Sequence, residues 1–223
     1  MKNNLFARAV GKFAAGVVLL GLLIFLPAGT LRYPNGWLLM GLLFVPMFLA
    51  GLVMLRRSPE LLEKRLNARE EQREQKEVLL ASGIMFLAAF VTAGLNFRFG
   101  WLPLPRWVVI TASVLFLLAY ALYAEVLREN VWLSRTIEVQ EGQKVVDDGL
   151  YGVVRHPMYS ATLVLFLSMP LILGSMFSLL IMLCYVPIIV KRIRNEEKVL
   201  EKGLEGYREY EEEVPWRLIP YIW

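Results

Sequence analysis

The sequence predicts an all-α fold: a polytopic transmembrane bundle of about six spans, closed by a tight C-terminal helical hairpin. Three observations predict it. Of the 223 residues, 57% are hydrophobic, against about 45–50% in a soluble domain, and mean hydropathy is +0.51. The apolar residues are gathered into runs that approach the roughly 20-residue length of a membrane-crossing helix. Lysine and arginine fall almost entirely in alternate loops, as the positive-inside rule requires. The simplest organisation is one membrane domain, 1–223. Four N-terminal spans and a charged segment (56–77) occupy 1–127, and spans five and six lie within 128–223.

The first run is Phe13–Ala28, closed by Pro27 and Gly29. Lys2, Arg8 and Lys12 precede it like the n-region of a signal peptide. No small-residue cleavage site follows, so the expectation is a retained span. The second run is Trp37–Leu55. Arg56–Glu77 then interrupts it, and Ser58-Pro59-Glu60 reads as a helix start: a cap, proline at the first position and an early acid. Leu61, Leu62, Leu66 and Val78 give that stretch a thin apolar stripe. It suits either a helix lying on the membrane or a solvated linker helix. Spans three and four are Val78–Phe97 and Trp107–Leu127. Pro157–Leu173 and Met176–Val190 are spans five and six, separated by Gly174-Ser175. With the N-terminus inside, the inner segments hold 21 of the 24 lysines and arginines. Both termini are therefore expected in the cytoplasm, in a cell (inner) membrane. Trp37, Trp101 and Trp107 sit at span ends, where interfacial aromatics gather.

Composition excludes several function classes. The net charge of +4 comes from cytoplasmic flanks rather than from a nucleic-acid surface. The single cysteine, Cys184, builds no disulfide. With one histidine, His156, no metal site of the usual Cys and His ligands is expected.

Three polar features lie in the last third. Asp147-Asp148-Gly149-Leu150-Tyr151 contains an Asp-Gly turn signal. Arg155-His156-Pro157-Met158-Tyr159 stands where a polar segment enters span five. Pro157 suits the first helical position, His156 the cap, and Tyr159 follows one turn later on the same face. Lys191-Arg192-Ile193-Arg194-Asn195-Glu196-Glu197 leaves span six, with Arg192 and Glu196 four apart on one face. The short turn makes spans five and six antiparallel neighbours, so the last two features must meet. Polar clusters at membrane depth are functional candidates.

The run Gly149–Tyr159, followed by Glu196-Glu197, Tyr207, Tyr210 and Pro220, resembles the isoprenylcysteine carboxyl methyltransferase family and the related phospholipid methyltransferases. The resemblance covers roughly 130–223. One departure is Ser160-Ala161, where the family often has glycine two residues after the motif tyrosine. The resemblance implies S-adenosylmethionine (S-adenosyl-L-methionine) as cofactor. It implies cofactor contacts from Gln143, Lys144, Val145, Val146, Tyr151, His156, Pro157, Met158, Tyr159 and Glu196. It places Arg192 and Arg155 on the acceptor side, as candidate catalytic residues with His156. A carboxylate acceptor would want an arginine to hold it; an amine would need a base, for which His156 is available. The expected partners are membrane lipids and an amphiphilic or lipid-linked acceptor. A membrane reductase of sterol-reductase-like architecture and a non-enzymatic membrane binding protein are the competing readings. No glycine-rich dinucleotide fingerprint is present.

Overall fold

A computed structural model describes residues 2–67, 73–133, 137 and 139–223. Nine helices are described: α1 (Lys2–Ala28), α2 (Pro34–Arg57), α3 (Pro59–Asn67), α4 (Arg73–Phe99), α5 (Arg106–Glu129), α6 (Pro157–Ile172), α7 (Met176–Met182), α8 (Tyr185–Gly203) and α9 (Tyr207–Glu213). No strand occurs among the described residues. Among the described residues five stretches are long and apolar enough to cross a membrane, the last joining α7 to α8, and α6 is a shorter apolar helix. The chain is an integral membrane protein with a helical bundle at its core.

The loops sort to two ends of the bundle. At one end the Tyr33 hydroxyl donates to the Leu173 carbonyl at 2.5 Å, and Leu104 N–H donates to the Gly174 carbonyl at 3.2 Å. At the other end Arg8 meets Glu63 at 3.9 Å and Lys191 meets Glu77 at 3.2 Å. Odd and even loops are therefore segregated as the charge pattern requires.

One core joins Ile24 and Phe25 of α1, Leu39 of α2, Ala93 of α4, Phe116 of α5 and Met169 of α6. A second joins Met85 and Ala89 of α4 to Tyr159, Met182, Ile189 and Ile193. Helices in lipid gain little from apolar burial and rely on close packing. Gly94 on α4 provides it: a Cβ there would stand 2.6 Å from the Ile24 carbonyl of α1. The outward faces stay apolar, with Leu26 73% exposed, as lipid-facing surfaces are. The most enclosed helix is α6, with eight of its sixteen residues buried. At 1.5 Å per residue it is about 24 Å long.

The expected sixth span breaks into α7 and α8 at Leu183-Cys184. Pro187 explains the place. It has no N–H to donate to Leu183, and its ring crowds that carbonyl, four residues back. Beyond the break α8 runs past Val190 to Gly203, carrying the charged cluster out of the apolar layer. The expected helix start at Ser58-Pro59-Glu60 is α3, with Leu62 buried and Leu62 N–H donating to the Ser58 carbonyl at 3.2 Å. Residues 68–72 and the Leu61 side chain, part of the expected charged stretch and its stripe, lie outside the described residues. Residues 73–77 form the first turn of α4.

Candidate functional site

The segment after α5 is irregular, and its turns aim side chains inward. The Glu129 carboxylate accepts Leu150 N–H at 2.9 Å, and the Asp148 carbonyl accepts Tyr151 N–H at 3.0 Å. Gly149 between them has φ +55°, and a Cβ would fall 2.3 Å from Glu129 Oε1. Only glycine meets both demands. The Asp-Gly turn delivers Tyr151 into the interior, where its carbonyl accepts the Tyr210 hydroxyl at 2.8 Å. Asp147 and Asp148 themselves are exposed.

The next segment is pinned by the C-terminal tail. Arg155 and His156 N–H donate to the carbonyls of Trp216 and Arg217 at 2.8 and 2.9 Å. The Ser160 hydroxyl donates to the Leu218 carbonyl at 2.6 Å. His156 is the cap of α6 and Pro157 its first residue, as the sequence predicts. The His156 and Tyr159 rings lie 5.7 Å apart. Tyr159 donates to Glu196 Oε2 at 2.5 Å and accepts from Arg192 Nε at 2.9 Å. The hairpin thus brings the two charged motifs into contact.

Glu197 is the hub beside them, 3% exposed. It receives Arg155 Nη2 at 2.9 Å and Arg217 Nε at 2.8 Å. His156 Nε2 stands 3.3 Å from its Oε1. Arg155 also meets Glu211 at 3.1 Å. Burial pushes the Glu211 carboxyl up while the Arg155 guanidinium pulls it back, so this second pair is the weaker tie. The four chain segments bearing these groups are held together by charge-assisted bonds of the strong kind.

A cavity opens next to this network. It is lined by Gln143, Lys144, Val145, Val146, Tyr151, Arg155, His156, Met158, Tyr159 and Glu196, and by Asn130, Trp132, Leu200, Tyr207 and Tyr210. Of the residues singled out from sequence, Pro157 is buried at the helix start and Arg192 stands behind Tyr159; neither lines the cavity. The main-chain groups of 144–146 have no partner among the described residues. The buried Tyr207 hydroxyl has none either. Burial pushes the Tyr151, Tyr207 and Tyr210 hydroxyls up, so they remain neutral donors. Among the described residues no three His, Cys, Asp or Glu side chains gather as a metal site would require.

Sequence reasoning missed Glu197 and Arg217 as contributors. Glu212 and Glu213 are exposed, whereas Glu211 turns inward to Arg155. The signal available for Glu197 was its place beside Glu196 after a span; nothing in the sequence distinguishes Glu211 from its neighbours.

Residues 106–205, from the start of α5 to just past α8, match the model of the phospholipid methyltransferase family. The match covers 100 of the 223 residues. It contains the cavity's motif residues from Gln143 to Glu196, and the resemblance read from the motif is borne out. Two curated relatives are sterol reductases. The chain is 33% identical over 91 residues to the mouse Delta(14)-sterol reductase TM7SF2, covering 40% of this chain and 22% of that protein. It is 26% identical over 135 residues to the Delta(14)-sterol reductase of Methylotuvimicrobium alcaliphilum, covering 54% of this chain and 32% of that protein. The chain thus spans about a fifth to a third of the length of these relatives.

Proposed function

We propose that the protein is a membrane enzyme that transfers a methyl group from S-adenosylmethionine to a lipid or lipid-like acceptor at the cytoplasmic face. The observation that carries this reading is the cavity where the Arg155–Tyr159 segment meets Glu196 within a phospholipid methyltransferase family region. The lining suits the cofactor. Glu196 offers a carboxylate for its α-ammonium group. The unpaired main chain of 144–146 offers donors and acceptors for an adenine edge, with Tyr151 and Tyr159 as apolar walls. The orphan Tyr207 hydroxyl is a further donor for a polar ligand.

When bound, the cofactor supplies an electrophilic methyl carbon on a sulfonium. The chain's task is then alignment and exclusion of water. Tyr159 holds the Glu196 carboxylate, and Arg192 holds Tyr159. Glu197 fixes the His156 ring, which can take a proton from an amine acceptor. The Arg155 charge is taken up by Glu197 and Glu211, so Arg192, behind Tyr159, is the cation offered to an acidic or carboxylate-bearing head. The acceptor's tail remains in the bilayer beside the apolar helices. In this reading residues 1–223 act as one domain with both termini cytoplasmic.

The sterol reductase relatives favour a second reading, in which the same cavity takes a reduced nicotinamide cofactor. Incubating the purified protein with extracted membrane lipids and methyl-tritiated S-adenosylmethionine tests the first. Label in the lipid phase, lost in Glu196→Gln, is expected. No lipid label together with NADPH consumption would overturn it in favour of reduction.

A further inference from the structure

The outer face of α8 carries a second groove, apart from the cavity. It is lined by Val186, Pro187, Val190, Lys191, Arg194, Asn195 and Lys198. At 3.6 residues per turn, Lys191, Arg194 and Lys198 fall within an arc of about 60°. The apolar residues lie one to three turns nearer the membrane layer. A groove apolar at its membrane end and cationic at its water end has the polarity of a phospholipid.

Two details separate it from an ordinary basic flank. Lys191 is paired with Glu77, but Arg194 and Lys198 have no ion-pair partner among the described residues and are exposed. Asn195 is 9% exposed, lines the groove, and its buried amide Nδ2 has no hydrogen-bond partner among the described residues. A buried donor normally has one. Two unpaired cations and an orphan amide donor together form a receptor for phosphate oxygens.

We infer that this groove binds an anionic phospholipid, its phosphate held by Arg194, Lys198 and Asn195 and its acyl chain lying along Val190, Pro187 and Val186. The site is separate from the methyl-transfer reading and stands without it. It anchors the helix that carries Glu196 and Glu197 to the membrane surface.

The full chain, purified in a mild detergent, is titrated with dioleoylphosphatidylglycerol, dioleoylphosphatidylcholine or inorganic phosphate, and bound lipid is counted by native mass spectrometry. One retained phosphatidylglycerol is expected, with much weaker retention of phosphatidylcholine. Each basic residue near an anionic lipid contributes roughly a factor of five. R194Q/K198Q should therefore bind phosphatidylglycerol about 25-fold more weakly, and Asn195→Leu should weaken it with charge unchanged. Arg32→Gln, in the loop at the other end of the bundle, should bind as the parent does. Equal retention of the two lipids, or undiminished phosphatidylglycerol binding by R194Q/K198Q, overturns the site. Thermal protection by inorganic phosphate equal to that by phosphatidylglycerol overturns the lipid as its occupant.

Discussion

Replacing Glu197 by Gln keeps the shape of the side chain and removes its charge. The carboxylate lies between Arg155 at 2.9 Å, Arg217 at 2.8 Å and His156 at 3.3 Å, and is almost fully buried. Removing one partner of a buried ion pair costs about 3–5 kcal/mol, because the other charge is left uncompensated. The low end applies here. Arg217 is 33% exposed and can turn to water, and Arg155 keeps Glu211 at 3.1 Å. The expected loss is about 3 kcal/mol. At about 2–4 °C per kcal/mol for a chain of this length, Tm should fall by about 6–12 °C. Tryptophan fluorescence during heating reads it, since Trp216 and Trp223 lie in the tail that the network holds. Glu211→Gln is the internal comparison. Its pair is weaker and less enclosed, and about 1 kcal/mol is expected. A Tm for Glu197→Gln within about 2 °C of the parent, or a larger loss for Glu211→Gln, would refute the assignment of Glu197 as the hub.

Other residues give sharper contrasts. Gly94→Ala should cost about 1–3 kcal/mol by forcing α1 from α4, while Gly83→Ala, which has open space at its Cβ, should be neutral or slightly stabilising in the same thermal assay. Tyr207→Phe removes a buried hydroxyl that has no partner. Without ligand it should leave Tm unchanged or raise it, since an unsatisfied polar group costs about 1–3 kcal/mol, yet weaken S-adenosylhomocysteine binding; a destabilised variant would mean the hydroxyl is paired. Tyr159→Phe cuts the link between Arg192 and Glu196. It should weaken cofactor binding about fivefold, the equivalent of one net hydrogen bond of about 1 kcal/mol, as isothermal titration would register, and unchanged affinity would remove Tyr159 as the holder of Glu196.

Fold and site were legible to different depths. Run length and loop charge sufficed for the bundle because lipid leaves the backbone few alternatives to a helix. The break at Leu183-Cys184 was harder, since Pro187 lies in an apolar run and proline is tolerated in membrane helices; only the missing donor to the carbonyl four residues back locates the kink. The meeting of Tyr159 with Glu196 followed from a two-residue turn between apolar runs. The role of Glu197 did not. Adjacent residues on a helix point about 100° apart, and the rotation of α8 depends on Ile189 and Ile193 packing against α4 and α6. Arg217 and Glu211 reach the site through a tail with no periodic pattern, so their positions depend on the main-chain bonds of Arg155 and His156 to residues 216 and 217.

The most direct test of the central claim is equilibrium binding of S-adenosylhomocysteine and of NADPH to the purified full chain, with Glu196→Gln measured alongside. Binding of S-adenosylhomocysteine that weakens about tenfold or more in Glu196→Gln, the scale of a charge-assisted hydrogen bond, with no binding of NADPH, is the predicted result. Binding of NADPH alone would contradict it and make the cavity a reductase site.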